Sequence, residues 1–347
     1  MTRLKFIACL LVSLATLWWA FSGVNFSELG DALSRLSSRW ALVLAAIYLS
    51  SFLLRAWRWR LTLAPVALVP AGASFSSIVL GYAANNILPG RLGEIVRAVA
   101  LSAQTSVSTS TAIASVFVER VFDATILLLF LGLSLSQLPS ASSQDHTLTA
   151  LAAAALAACG TGFAGLAVAR IAPERALQWF ARFVSWTPGA LHAKLMSVAT
   201  DSVRAVSFIE FSTTFAATAA LGIAIWATEA AVFWLAAYSM GLSSSLWLAL
   251  FALAVVNFGI LVPAAPGYVG VFQAAGVYAY GRWGIGEPEA LACIILIHAV
   301  QYLPITFTGA ILLPASGLSL ASLCGPADHA KVETPANAAP PGFEAIR

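Results

Sequence analysis

The chain has 347 residues, of which 60% are hydrophobic and 10% charged, with a mean hydropathy of +0.87. A soluble domain carries about 25% charged residues, so this composition excludes a chain that covers itself with polar surface. A net charge of +3 on so apolar a chain also falls far short of the basic excess that nucleic-acid binding requires.

In chain order, Arg3 and Lys5 precede an apolar run that reaches about Gly23. No convincing small-residue cleavage site follows, so this reads as a retained first helix rather than a signal peptide. Further spans are expected near 40–56, 113–136, 147–169, 213–239, 246–263 and 290–313. Between Thr213 and Gly281 the sole charged residue is Glu229, and none occurs from Ala290 to Ala327. Apolar runs of that length are membrane spans. The loop 170–212 carries Trp179, Phe180, Phe183 and Trp186 and is expected to form helices at the interface. Residues 316–347, rich in Ala, Pro and charge toward the end, are expected to be a disordered tail, leaving one membrane domain over 1–315. Cys9, Cys159, Cys293 and Cys324 form no CxxC pair and read as small apolar residues.

With the N-terminus inside, loops 55–60 and 170–212 lie on the cytoplasmic side and hold eight basic residues: Arg55, Arg58, Arg60, Arg170, Arg175, Arg182, Lys194 and Arg204. The opposite loops hold two, Arg35 and Arg39. The positive-inside rule therefore favours a cytoplasmic N-terminus.

Two stretches, 74–112 and 264–282, resist reading as plain spans. Asn85-Asn86-Ile87-Leu88-Pro89-Gly90-Arg91-Leu92-Gly93-Glu94 and Asn257 through Pro266-Gly267-Tyr268-Val269-Gly270 to Gln273 share one pattern. Each has an Asn in an apolar helix, a break, and Pro-Gly-x-x-Gly followed by a polar side chain. Proline removes a donor and glycine opens turns closed to other residues, so helices stop there. Such breaks are tolerated in hydrocarbon only inside protein or beside an aqueous cavity. The two Pro-Gly pairs stand 177 residues apart, and transporters place broken helices at corresponding positions of two halves. The alternative is that Pro and Gly simply end two ordinary spans. The fold expected is an all-α polytopic membrane bundle of about seven to nine transmembrane helices, with two broken or re-entrant segments as a candidate inverted repeat.

Charges cluster beside the first break. Arg91, Glu94 and Arg97 recur at i, i+3 spacing and are expected to share a face. Glu119, Arg120 and Asp123 open a later span. Charges at membrane depth are costly and mark substrate paths or paired networks. Arg91 and Arg97, beside the free N–H groups of a new helix, suit a phosphate. The competing reading is an ion-pair network that fixes helix packing. Arg55-Ala56-Trp57-Arg58-Trp59-Arg60 reads first as an interfacial anchor, Glu229 as a functional candidate or a protonated packing residue, and His298 with Gln301 as cavity or helix–helix polar groups.

Arg55-Ala-Trp57-Arg58-Trp59, Asn86 to Arg97, Glu119-Arg120 with Asp123, Pro263 to Gly270, and His298 to Pro304 with Gly309 occur in the order of one family. The chain resembles the lysylphosphatidylglycerol synthase transmembrane region family of flippase-like integral membrane proteins, over nearly everything up to about residue 315. That resemblance implies a helical bundle with broken helices and a role in moving lipids between leaflets. It implies an aminoacylated phosphatidylglycerol as lipid in members with an attached transferase domain, and hopanoid-associated or polyprenyl-linked lipids for stand-alone relatives. Gln273 stands where the family often has an acid, which speaks against proton coupling at that position.

The reading that follows is a bacterial inner-membrane lipid translocator, without cofactor or metal and not an enzyme, whose partner is a membrane lipid with an anionic headgroup rather than a nucleic acid. Arg91, Glu94, Arg97, Glu119, Arg120, Asp123, Asn86, Arg58, Gln273 and His298 are the expected substrate-binding residues. Pro89, Gly90, Gly93, Pro266, Gly267 and Gly270 are the expected hinges. The rivals are an intramembrane lipid-modifying transferase with Glu94 or Glu119 as general base, and an accessory subunit that recruits a lipid-biosynthesis enzyme through loop 170–212.

Overall fold

The structure, a computed structural model, describes residues 25–34, 37–88, 92–138, 167–207, 213–262 and 264–316, with scattered positions in 11–18 and 150–165. Most of the first helix, most of the 147–169 span, the tail beyond residue 316, and Pro89, Gly90, Arg91 and Pro263 lie outside the described residues. Among the described residues every regular element is helical.

The helices are α1 (Phe26–Ser34), α2 (Ser38–Leu63), α3 (Ala71–Ile87), α4 (Gly93–Gln104), α5 (Thr109–Leu135) and α6 (Pro173–Phe183), followed by α7 (Gly189–Ser207), α8 (Thr213–Ser239) and α9 (Leu246–Gly259). A 3-10 turn at Pro266–Tyr268 then leads into α10 (Val271–Gly281) and α11 (Glu287–Ala315). Among the described residues three helices are long and apolar enough to cross a membrane: Ser38–Leu63, Ala216–Ser239 within α8, and Glu287–Ala315. At 1.5 Å per residue the 26 residues of α2 extend about 39 Å, beyond the ~30 Å hydrocarbon thickness. The 27 residues of α5 also have the length, but Glu119, Arg120 and Asp123 interrupt its apolar run. The helices flanking the two breaks are shorter. At 12 and 11 residues, α4 and α10 extend only about 16–18 Å.

Burial of apolar faces assembles these pieces. α2 packs along α8 and α3, α3 along α4 and α11, and α9 against α5, α8 and α10. Phe52, Trp59, Phe233, Phe251 and Tyr280 fill the shared core. Ser108 and Ser245 cap α5 and α9 by accepting the Thr111 and Leu248 N–H groups, which satisfies donors that a helix start leaves open. Contact between α3 and α4 depends on two glycines. A Cβ at Gly81 would sit 2.7 Å from Arg97 Cβ and 2.8 Å from Gly93 O, and one at Gly93 would strike the Gly81 carbonyl.

Two expectations are corrected here. The span read as 40–56 runs on to Leu63 without a break, so Arg55 and Arg58 lie inside the helix at 3% and 1% exposure. They do not anchor an interface, because carboxylates on other helices hold them in the core. Trp57, at 56% exposed, does face outward. The second correction concerns 246–263: α9 ends at Gly259, four residues early, and α8 and α9 are joined by a turn at Met240–Gly241. In the 170–212 region α6 and α7 are helical, with Trp179, Phe183 and Trp186 exposed. Cys293 is a fully buried thiol; the other cysteines lie outside the described residues.

Candidate functional site

The first break is tied at both sides by asparagines. Asn85 Oδ1 accepts the Gly93 N–H at 2.8 Å, so the end of α3 caps the start of α4. Asn86 Nδ2 donates to Tyr302 O (3.2 Å) and Thr306 Oγ1 (2.8 Å) on α11, while Tyr302 OH donates back to Asn86 O at 3.3 Å. In hydrocarbon an interrupted helix needs such partners for its freed polar groups.

The second break turns on glycine. Gly267 has φ +73° and Gly270 φ +92°, a region that side chains rarely adopt. A Cβ at Gly267 would also lie 2.6 Å from the Tyr302 ring and 3.4 Å from Asn86 O. The two breaks thus touch through Tyr302. Gln273 Oε1 accepts the Gly270 N–H (2.8 Å), leaving its amide to donate to His298 Nδ1 (2.9 Å), and His298 Nε2 donates to Gly267 O (2.9 Å). That pattern assigns the neutral tautomer with its proton on Nε2. Phe272 stacks on the imidazole with ring centroids 4.3 Å apart.

Charged side chains between α2, α4, α5 and α8 form a ladder of alternating sign. Arg97 pairs with Glu119 (2.7 Å), Glu119 with Arg58 (3.4 Å), Arg58 with Asp123 (2.6 Å), Asp123 with Arg120 (3.2 Å), and Arg120 with Glu94 (3.7 Å). Trp59 stacks under Arg97, 3.8 Å from ring centroid to guanidinium carbon, and Trp226 Nε1 donates to Asp123 at 2.9 Å. A second pair, Arg55 with Glu229, joins α2 to α8 beside it, with Tyr82 and Trp226 facing the guanidinium. Buried ion pairs add little net stability, but losing one partner strands a charge. The ladder ties α2, α4 and α5 together, and each of its enclosed members needs its partners to stay buried.

At the open end of the ladder lies a cavity of ≈120 Å³. α2 contributes Tyr48 and Arg55, α3 Tyr82, Asn85 and Asn86, α4 Glu94, α5 Arg120, and α8 Trp226 and Glu229. The second break adds Asn257, Ile260, Tyr268 and Phe272, and α11 adds His298, Gln301 and Tyr302. A second cavity of ≈190 Å³, almost wholly apolar, lies across the Asn86–Thr306 contact, between Leu80, Ala83, Ala84, Val96, Gly309 and Leu313.

Of the residues expected to bind substrate, Asn86, Glu94, Arg120 and His298 line the polar cavity. Arg58, Arg97, Glu119 and Asp123 do not; they form the buried part of the ladder behind its wall. Glu94 and Arg97 part company despite their i, i+3 spacing, because α5 and Trp59 enclose Arg97 while Glu94 sits in the opening. Arg97 thus does not face the polar cavity, and its guanidinium donates to Glu119 instead. Gln273 shapes the second turn from behind His298. Of the expected hinges, Gly93, Pro266, Gly267 and Gly270 stand at the two turns, while Pro89 and Gly90, with Arg91, lie outside the described residues. Sequence reasoning missed Tyr48, Tyr82, Trp226, Tyr268 and Tyr302, which look like core aromatics in the sequence, and the Arg55–Glu229 pairing across 174 residues. Among the described residues no three His, Cys, Asp or Glu gather as a metal site would.

The family model for the lysylphosphatidylglycerol synthase TM region matches residues 6–309. Glycosyltransferase AglD of Haloferax volcanii is 25% identical over 328 residues, covering 86% of this chain and 52% of that protein, so the chain spans about half the length of this curated relative. No solved structure matches. The chain belongs to the lysylphosphatidylglycerol synthase TM region family, and its family and apolar helices make it a membrane protein. The expectation that it has no enzymatic part is overturned by its likeness to a glycosyltransferase. Short aqueous loops do not exclude transfer chemistry when the acceptor is a lipid that reaches a carboxylate inside the bilayer.

Proposed function

We propose that the chain takes the phosphate-bearing headgroup of a membrane lipid into the polar cavity and serves group transfer onto that lipid. The observation that carries this reading is the Glu94–Arg120 pair, an accessible carboxylate and guanidinium on the wall of a cavity enclosed by apolar helices. Of the two candidate bases, Glu94 is the one that reaches the cavity; Arg58 and Arg97 engage Glu119. A general base of this kind contributes about 10²–10⁴-fold. The relative named a glycosyltransferase supports sugar as the transferred group, and its unmatched half is long enough for a donor-binding domain. This chain would then work beside such a domain, with exposed Trp179, Phe183 and Trp186 on α6–α7 available to meet it or the lipid interface.

A second reading, translocation between leaflets, is favoured by the contact of the two breaks through Tyr302, with Gly93 and Gly267 taken as the hinges of one cavity wall. The short helix pairs α3–α4 and α9–α10 then act as re-entrant elements of an inverted repeat within about seven to nine spans. With Arg55 and Arg58 removed from the count, six basic residues against two still favour a cytoplasmic N-terminus in a cytoplasmic membrane.

Purified protein in vesicles of labelled lipid extract, supplied with the cell's soluble fraction, separates the readings. A new labelled lipid in the mass spectrum that disappears in E94Q is the expected result for transfer. Leaflet exchange with no new product supports translocation instead. Neither product nor exchange overturns both.

A further inference from the structure

Four of the ion pairs, Arg97–Glu119, Arg58–Glu119, Arg58–Asp123 and Arg55–Glu229, have both side chains at most 7% exposed. Arg120 and Glu94 are different: their side chains are 33% and 30% exposed, and the closest N···O separation is 3.7 Å, beyond hydrogen-bonding range. Arg120 Nε has no hydrogen-bond partner, a feature it shares with Arg55, Arg58 and Arg97, so exposure and separation are what set this pair apart. A loose, accessible pair exchanges partners readily, whereas the enclosed pairs cannot do so without stranding a charge.

The charges on the cavity wall also balance. Among the described lining residues Arg55 and Arg120 are cations, Glu94 and Glu229 anions, and His298 is neutral by its hydrogen-bond pattern. A ligand with net charge −1 would satisfy Arg120 but leave Glu94 without its partner and the wall with an uncompensated anion. A ligand carrying one anion and one cation can enter the pair from both sides, the anion on Arg120 and the cation on Glu94, without changing the total.

We infer that Glu94 and Arg120 form the specificity element of the cavity and select a zwitterionic headgroup, in which one phosphodiester anion stands beside one ammonium group. This rests on the headgroup reading proposed above and narrows it: an anionic lipid such as phosphatidylglycerol is the poorer fit, and phosphatidylethanolamine is the test ligand. Two groups recognised at once give the pair its selectivity, since charge-assisted contacts form on both sides.

Detergent-solubilised full-length protein offered equimolar phosphatidylethanolamine and phosphatidylglycerol, with retained lipid counted by native mass spectrometry, tests the inference. The wild-type protein is expected to keep phosphatidylethanolamine over phosphatidylglycerol by roughly tenfold. E94Q, which leaves the wall one unit more positive, is expected to reverse that order, and R120Q to weaken retention of both. The exchanged pair E94R/R120E restores the balance and is expected to recover the wild-type order, which a merely misfolded single variant would not explain. Equal retention by the wild type, or an unchanged order in E94Q, overturns the zwitterion assignment while leaving the headgroup reading in place. Retention of neither lipid overturns the headgroup reading itself. Soluble glycerophosphoethanolamine added at the lipid's own concentration is expected to displace little; full displacement would overturn a lipid as the source of the headgroup.

Discussion

The two breaks look alike in the sequence and differ in chemistry. The first is closed by side chains, Asn85 and Asn86, and opens directly onto charge at Glu94 and Arg120. The second is closed by backbone geometry at Gly267 and Gly270 and by the neutral relay Gln273–His298. Similar Pro-Gly patterns therefore border the same cavity with one charged wall and one neutral wall, which the reading proposed above makes the chemical and the mechanical wall. The pattern says where helices stop; the residues beyond it decide what each stop is for.

That contrast can be broken at several strengths. Asp123 accepts hydrogen bonds from Arg58 and Trp226 and pairs with Arg120. D123A strands buried guanidinium groups and is expected to cost about 3–5 kcal/mol, read as loss of the cooperative thermal transition in detergent. At the mechanical wall, G267A forces a side chain into a left-handed conformation against the Tyr302 ring. It is expected to cost about 1–3 kcal/mol, visible as a lowered midpoint in the same experiment. N86A removes the tie from α3 to Tyr302 and Thr306 and is expected to cost about 1–2 kcal/mol. At the chemical wall E94Q is expected to move stability by no more than about 0.5 kcal/mol, as for a partly exposed pair, yet to reduce labelled product by about 100-fold. If E94Q instead unfolds the protein while G267A spares it, the assignment of chemical and mechanical walls is reversed.

Much of this arrangement was legible in the sequence because charges and Pro-Gly pairs stand out in an apolar chain. Both breaks, the Glu94 and Arg120 positions, and a pairing role for Glu119 and Asp123 follow from that contrast. Arg55 and Arg58 were misread for a physical reason: six residues that alternate cations with tryptophans resemble a membrane boundary unless the helix is known to continue to Leu63. The i, i+3 spacing put Glu94 and Arg97 on neighbouring positions of α4, but only tertiary packing decides which of them Trp59 covers. Likewise the cavity aromatics Tyr82, Trp226 and Tyr302 occupy positions where any core residue would serve, and their local sequence carries no mark of the space they face. The expectation of no enzymatic part rests on the lack of a familiar catalytic motif, and a lipid-modifying transferase with Glu94 or Glu119 as base stands beside it as the rival. The likeness to a glycosyltransferase overturns that expectation.

The most direct test of a headgroup site between the two breaks is a density map of the protein purified with lipids from its own membrane. The expected result is a headgroup in the polar cavity, its phosphate within about 3 Å of the Arg120 guanidinium, with Glu94 turned toward its other end. A map with ordered lipid only along the outer faces of α2, α8 and α11, and water alone between Glu94, Arg120 and Tyr302, would contradict the account.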